Sequence, residues 1–125
     1  MTLHCLSGSY AVVQLKAEEA IPNWASSAGV FCSITRTPQE LSIVCDESLV
    51  PSGSLCESNR RLVKVDGPLD FSLTGILSGL LQPLAEAKIS VFTISTFDTD
   101  YILIHKEKLA AAIAIWNNDG HQIIG

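Results

Sequence analysis

The stretch ISVFTISTFDTDYILIH, residues 89–105, sets two apolar runs, ISVFTI and YILIH, around the polar hexapeptide STFDTD of residues 95–100. Val, Ile, Phe and Tyr suit a pleated, half-buried surface, so the stretch predicts strand, turn, strand. A plain hairpin is best served by Asn-Gly or Asp-Gly at its corner. Thr96, Phe97 and Thr99 are poor turn residues, and two aspartates, Asp98 and Asp100, stand among them. The composition of this turn points to a task beyond reversing the chain.

Upstream, Arg61 to Val65 alternates as a short strand and Asp66-Gly67-Pro68 breaks it. Leu73, Ile76, Leu77, Leu80, Leu81 and Leu84 then recur at the spacing of one helix face. Ser72 or Asp70 is placed to cap that helix, and Pro83 should bend it or free the carbonyl of Gly79. Gly75 and Gly79 share a face, where missing side chains either admit a backbone or ligand or only weaken the helix. Downstream, Leu109, Ile113 and Trp116 mark a second helix, Asn118-Asp119-Gly120 ends it, and His121 to Ile124 has room for a last strand. The resulting order, β-α-β-β-α-β, is the split-βαβ or ferredoxin-like unit: two helices on one face of a four-stranded antiparallel sheet.

The first half repeats part of this pattern. VFCSITRTPQELSIVC begins at Val30, and its strand–turn–strand character lines up with the segment that begins 61 positions later at Val91. Tyr10 to Leu15 supplies a strand ahead of it, Pro22 to Ala28 a short helix, and Leu3 to Leu6 a further strand. Residues 46–60, DESLVPSGSLCESNR, read as turn-rich and polar, with no second long helix. The fold class is therefore α+β: two tandem ferredoxin-like modules with helices on one face of antiparallel sheets, an abbreviated one over residues 1–60 and a fuller one over 61–125.

Composition narrows the function. With 125 residues, 47% of them apolar and 17% charged, the chain has enough surface to bury against the entropy of ordering. A net charge of -5, with no basic cluster beyond Arg60-Arg61, excludes a nucleic-acid groove. The N-terminus lacks a cationic, long-apolar signal pattern and no apolar run approaches a membrane span, so a cytoplasmic protein without membrane contact is expected. Cys5, Cys32, Cys45 and Cys56 show no C-x-x-C and no His-Cys spacing for zinc, so neither metal nor cofactor is expected. Cys32 and Cys45, set in apolar strands, read as small core side chains. Hydrolase, P-loop and dinucleotide signatures are absent, and His4, His105 and His121 are scattered, so an enzyme is not expected.

The segment SLTGILSGLLQPLAEAKISVFTISTFDTDYILI resembles ACT domains, the amino-acid-binding regulatory modules attached to aspartokinases. PLAE, then ISV, then STFDTDYIL is similar to the ACT pairs of the CASTOR-type arginine sensors, and FCSITRTPQELSIVCDE is similar to their leading module. The resemblance implies a non-enzymatic sensor or regulatory protein whose ligand, a free amino acid, lies at an interface between modules. Those sensors hold four modules where this chain would hold two, so a homodimer is implied, together with a protein partner under ligand control. Carried onto this sequence, the ligand-binding positions are Asp70, Phe71, Ser72, Leu73, Thr74, Gly75 and Ile76, opposite Ser95, Thr96, Phe97, Asp98, Thr99 and Asp100.

Elementary chemistry is compatible with that placement. Free N–H groups at a helix start can hold a carboxylate, and Gly75 leaves that backbone open. An ammonium group asks for an acceptor such as Asp70 or Asp100, and Phe97 would close over an aliphatic portion. The acidic loops suit arginine or lysine. The bland counterpart stands beside it: Asp98 and Asp100 as ordinary turn residues, Ser72 and Thr74 as helix caps, Phe97 on a dimer partner. An adaptor without ligand, and a small Cys/His enzyme, are the alternatives.

Overall fold

The last long strand shows how the pattern becomes structure. In Asp100–His105, Ile102 and Ile104 point one way and Leu103 the other, as a period of two requires, and all three are buried. The computed structural model describes residues 1–26, 29–67 and 74–125. Its strands are β1 (Thr2–Leu15), β2 (Ser33–Arg36), β3 (Leu41–Asp46), β4 (Cys56–Val65), β5 (Val91–Ser95), β6 (Asp100–His105) and β7 (Gln122–Ile124). The helices are α1 (Ile76–Glu86) and α2 (Leu109–Asn118), with 3₁₀ turns at Asn23–Ser26, Glu47–Leu49 and Lys106–Lys108. The fold is a mixture of antiparallel strand pairs and two helices, and the chain divides into two units: Met1–Ser7 with Arg61–Gly125, and Gly8–Arg60.

In the first of these units the strand order is β7-β1-β4-β6-β5, where β1 contributes its opening residues and β4 its closing ones. β5 and β6 are antiparallel, with Val91 opposite Ile104 and Ser95 opposite Asp100. Val63, Val65, Ile102 and Ile104 turn toward α1 and α2, meeting Leu80 and Leu84 from one helix and Leu109, Ala112 and Trp116 from the other. Burying each aliphatic side chain contributes about 1.5–3 kcal/mol, so this cluster is the unit's main source of stability. Trp116 donates its indole N–H to the Leu80 carbonyl at 2.9 Å, which satisfies the one polar group on the core's largest side chain. α1 ends where Lys88 turns left-handed (φ 60°) and the Ile89 N–H bonds back to the Leu84 carbonyl at 2.9 Å.

The unit Gly8–Arg60 orders its strands β2-β3-β1-β4. β1 pairs antiparallel with β3, Leu15 facing Leu41 and Ala11 facing Cys45, and alternate residues of both strands supply a smaller core: Ala11, Val13, Leu41, Ile43 and Cys45. The 3₁₀ turn Asn23–Ser26 sets Ala25 into it. Burial, reinforced by Cys32 and Asp46, pushes the Cys45 thiol up to about 11.

Five expectations are corrected. The sheet beside the two helices has five strands, not four, because the opening of β1 lies between β4 and β7 and pairs with β7 in parallel, Thr2 to His4 alongside Gln122 to Ile124. Leu3 is fully buried there, so the first residues complete the core of the later ones. Residues 56–60, read as part of a polar turn, are strand: their polar side chains leave a partly exposed ladder, and Asn59 takes φ 61° within it. Of the expected helix over 22–28, the described residues form a single 3₁₀ turn at Asn23–Ser26, residues 27 and 28 lie outside the described residues, and Cys32 lies ahead of β2 and is exposed rather than a strand core residue. The N-cap of α1 is Gly75 rather than Ser72 or Asp70.

Candidate functional site

Thr99 decides the shape of the β5–β6 turn. It is buried, 4% exposed, and its hydroxyl donates to the carbonyl of Val65, the last residue of β4, at 2.7 Å. Thr96 closes the loop above it: its N–H bonds the Thr99 carbonyl at 2.8 Å, and its hydroxyl donates to that carbonyl at 3.1 Å and accepts from the Thr99 N–H at 3.3 Å. Ser95 donates its hydroxyl to the Asp100 carboxylate across the base of the turn. The two threonines are therefore working turn residues, each supplying the backbone with partners that Asn or Asp would supply elsewhere. Phe97, at the tip, is 82% exposed, and Asp98 is exposed beside it.

The Thr99–Val65 bond also sets the end of β4 beside the start of β6. β6 starts where β4 ends, and β5 ends at that same edge because it pairs with β6 antiparallel. An 11-residue helix spans about 16 Å, close to the reach of a five-residue strand, so α1 carries the chain from the end of β4 back to the start of β5. Gly75 is the N-cap of α1, left-handed at φ 78° and exposed, with nothing within 4 Å of the position a Cβ would take. Having no side chain, it cannot supply the oxygen that Ser or Asp would offer the first helical N–H groups.

Of the thirteen residues the sequence singles out, Thr74 and Gly75 are exposed and Ile76 is half-buried against the core. Ser95, Thr96, Phe97, Asp98, Thr99 and Asp100 form the turn just described. Asp70, Phe71, Ser72 and Leu73 lie outside the described residues. Sequence reasoning did not single out the group that holds the β4 end of this region: the Asp66 N–H bonds the Thr2 carbonyl at 2.8 Å, and His4 Nε2 stands 3.3 Å from the Asp66 carboxylate. Those contacts join residues more than sixty positions apart, and only the pairing of β1 brings them together.

Comparison with known proteins places this architecture. A family model described as ACT domain matches residues 55–117, just over half of the chain, and a second model, of an N-terminal domain, matches residues 8–53. The cytosolic arginine sensor for mTORC1 subunit 1 of Bos taurus is 32% identical over 94 residues, covering 66% of this chain and 29% of the sensor. The chain thus spans less than a third of that relative's length. Among solved structures, a protein from Agobacterium tumefaciens superposes with a TM-score of 0.92 at 39% identity, covering 98% of this chain and 91% of that one. The regulatory subunit of aspartate kinase from Thermus thermophilus superposes with a TM-score of 0.61 at 11% identity, covering 88% and 90%, a likeness of fold alone. Helix, turn and strand order, and the residues that build them, lead to one assignment: the chain belongs to the ACT domain family.

Proposed function

We propose that this protein is a non-enzymatic regulatory module that binds a free amino acid at the end of the sheet where α1 begins and the 95–100 turn closes. The observation that carries this reading is the buried Thr99 hydroxyl bond to Val65, which holds a turn rich in acceptors at the edge from which the chain leaves for the uncapped, glycine-led start of α1. A carboxylate would be held by the first helical N–H groups, an ammonium group by Asp98 or Asp100. The second unit acts as an abbreviated module in tandem with the first, and two copies of the chain associate to complete the ligand's surroundings. Exposed Phe97 lies where a partner under ligand control would meet it. The excess of carboxylates suits arginine or lysine, and an arginine sensor among the relatives supports the same choice.

A thermal-shift panel over the twenty amino acids tests this directly. A ligand at 100 times its Kd stabilises the native state by about 2.7 kcal/mol, well within reach of the method. Arginine or lysine should raise the transition, and Asp100→Asn, which keeps a partner for Ser95 but removes the charge, should weaken the response. A flat panel for all twenty would defeat the proposal.

A further inference from the structure

The unit Gly8–Arg60 carries an open cleft of its own. Its floor is the face of β1 and β3 turned away from the small core, with Val12 and Gln14 beside Ser42, and its wall is the start of β4, Leu55 to Glu57. The volume is about 240 Å³, and a second hollow of about 460 Å³ continues it along β1 past the shared residues Gln14 and Leu55. The backbone is fixed here, because the Gln14 N–H bonds the Leu55 carbonyl at 3.0 Å. Leu55 is 69% exposed at the lip, an apolar side chain with a half-buried Val12 opposite. The polar groups that converge are chiefly acceptors: the carboxylates of Glu40 and Glu57, the hydroxyl of Ser42 and the amide oxygen of Gln14, whose nitrogen already donates to Glu40 at 3.3 Å. Arg60 stands 3.6 Å from Glu57, but Glu57 is 79% exposed, and an exposed pair of this kind holds its partner weakly.

An apolar channel edged by two carboxylates is complementary to an alkyl chain ending in a cation. The geometry points to a second small-molecule site in this unit, binding an alkyl amine or alkyl guanidine through Glu40 and Glu57, with its aliphatic stem against Val12 and Leu55. The site is separate from the 95–100 turn and does not depend on what that turn binds.

The experiment is an ¹⁵N–¹H correlation titration of the full chain with n-butylamine, with n-butanol as the neutral control of similar shape. Saturable shifts at the amides of Gln14, Ser42 and Leu55 are expected with the amine alone. Glu40→Gln with Glu57→Gln should weaken binding at least tenfold while retaining native peak dispersion, and Asp100→Asn should leave it unchanged. Absence of saturation, equal response to n-butanol, an unaltered Kd in the double variant, or shifts confined to residues 95–100 would each overturn the inference.

Discussion

A single hydroxyl, that of Thr99, ties the end of β4 to the start of β6 from a fully enclosed position. Removing it withdraws a buried donor from the Val65 carbonyl at a cost of about 1–3 kcal/mol. Thr99→Val, which keeps the shape, is expected to lower urea-unfolding stability by that amount, whereas Thr93→Val on the exposed edge of β5 should change it by less than about 0.5 kcal/mol. Cys45 makes a second residue-scale prediction. Its thiol is raised from the ordinary 9.0 to about 11 in the folded chain, first by burial. The unfolded chain therefore loses this proton at lower pH than the native one. The associated stability is complete below about pH 9 and disappears as pH rises toward 11, on the order of 2 kcal/mol. Urea titrations between pH 8 and 11 should show wild type losing stability faster than Cys45→Ala. Over the same range, exposed Cys56 should react with iodoacetamide well before Cys45.

Elements add terms that no single side chain reveals. α1 ends on Lys88 at φ 60°, a left-handed position where a Cβ is unfavourable and glycine is at ease. Lys88→Gly should raise stability by about 1 kcal/mol without moving the Ile89 to Leu84 bond, readable as a rise in Tm; no rise would mean that the lysine stem makes a compensating contact. The helices and the strand pair β5–β6 were legible in the sequence because each follows one period, 3.6 or 2, over several apolar residues. The start of β4 was not, because Cys56 to Arg60 is polar and Asn59 reads as a turn residue. β1 was read as two pieces, Leu3 to Leu6 and Tyr10 to Leu15, and Gly8 between them is left-handed at φ 96° while the strand continues through it. At the turn, the sequence identified Thr96 and Thr99 as unusual but not why, since the partner of Thr99 lies 34 residues earlier. The cleft beside Leu55 was illegible for the same reason: its lining comes from β1, β3 and β4, and only strand pairing assembles it.

For the molecule as a whole, the decisive fact is that its first seven residues fold with its last sixty-five. Leu3 is fully buried in the core of the helical unit, β7 has β1 as its strand partner, and Thr2 accepts the Asp66 N–H. A fragment of residues 61–125 therefore contains both helices and four strand segments of apparent module, yet lacks one core side chain and the strand on which β7 pairs. Truncating Leu3 alone to Ala removes about 2–5 kcal/mol, a large part of the 5–15 kcal/mol that holds a typical domain together. Losing the strand as well leaves β7 without a ladder. The fragment 61–125 is expected to show poor amide dispersion and no cooperative thermal transition, while the same fragment extended through a flexible linker to a copy of residues 1–7 after Gly125 should recover both. β1 and β7 run in parallel, so the linker must return along the full length of β7, roughly 10 Å for its three residues, and a Gly/Ser segment of about eight residues covers that span. Native-like dispersion in the unextended fragment would show that the opening strand is dispensable, and the helical unit would then be a module complete from Arg61 onward.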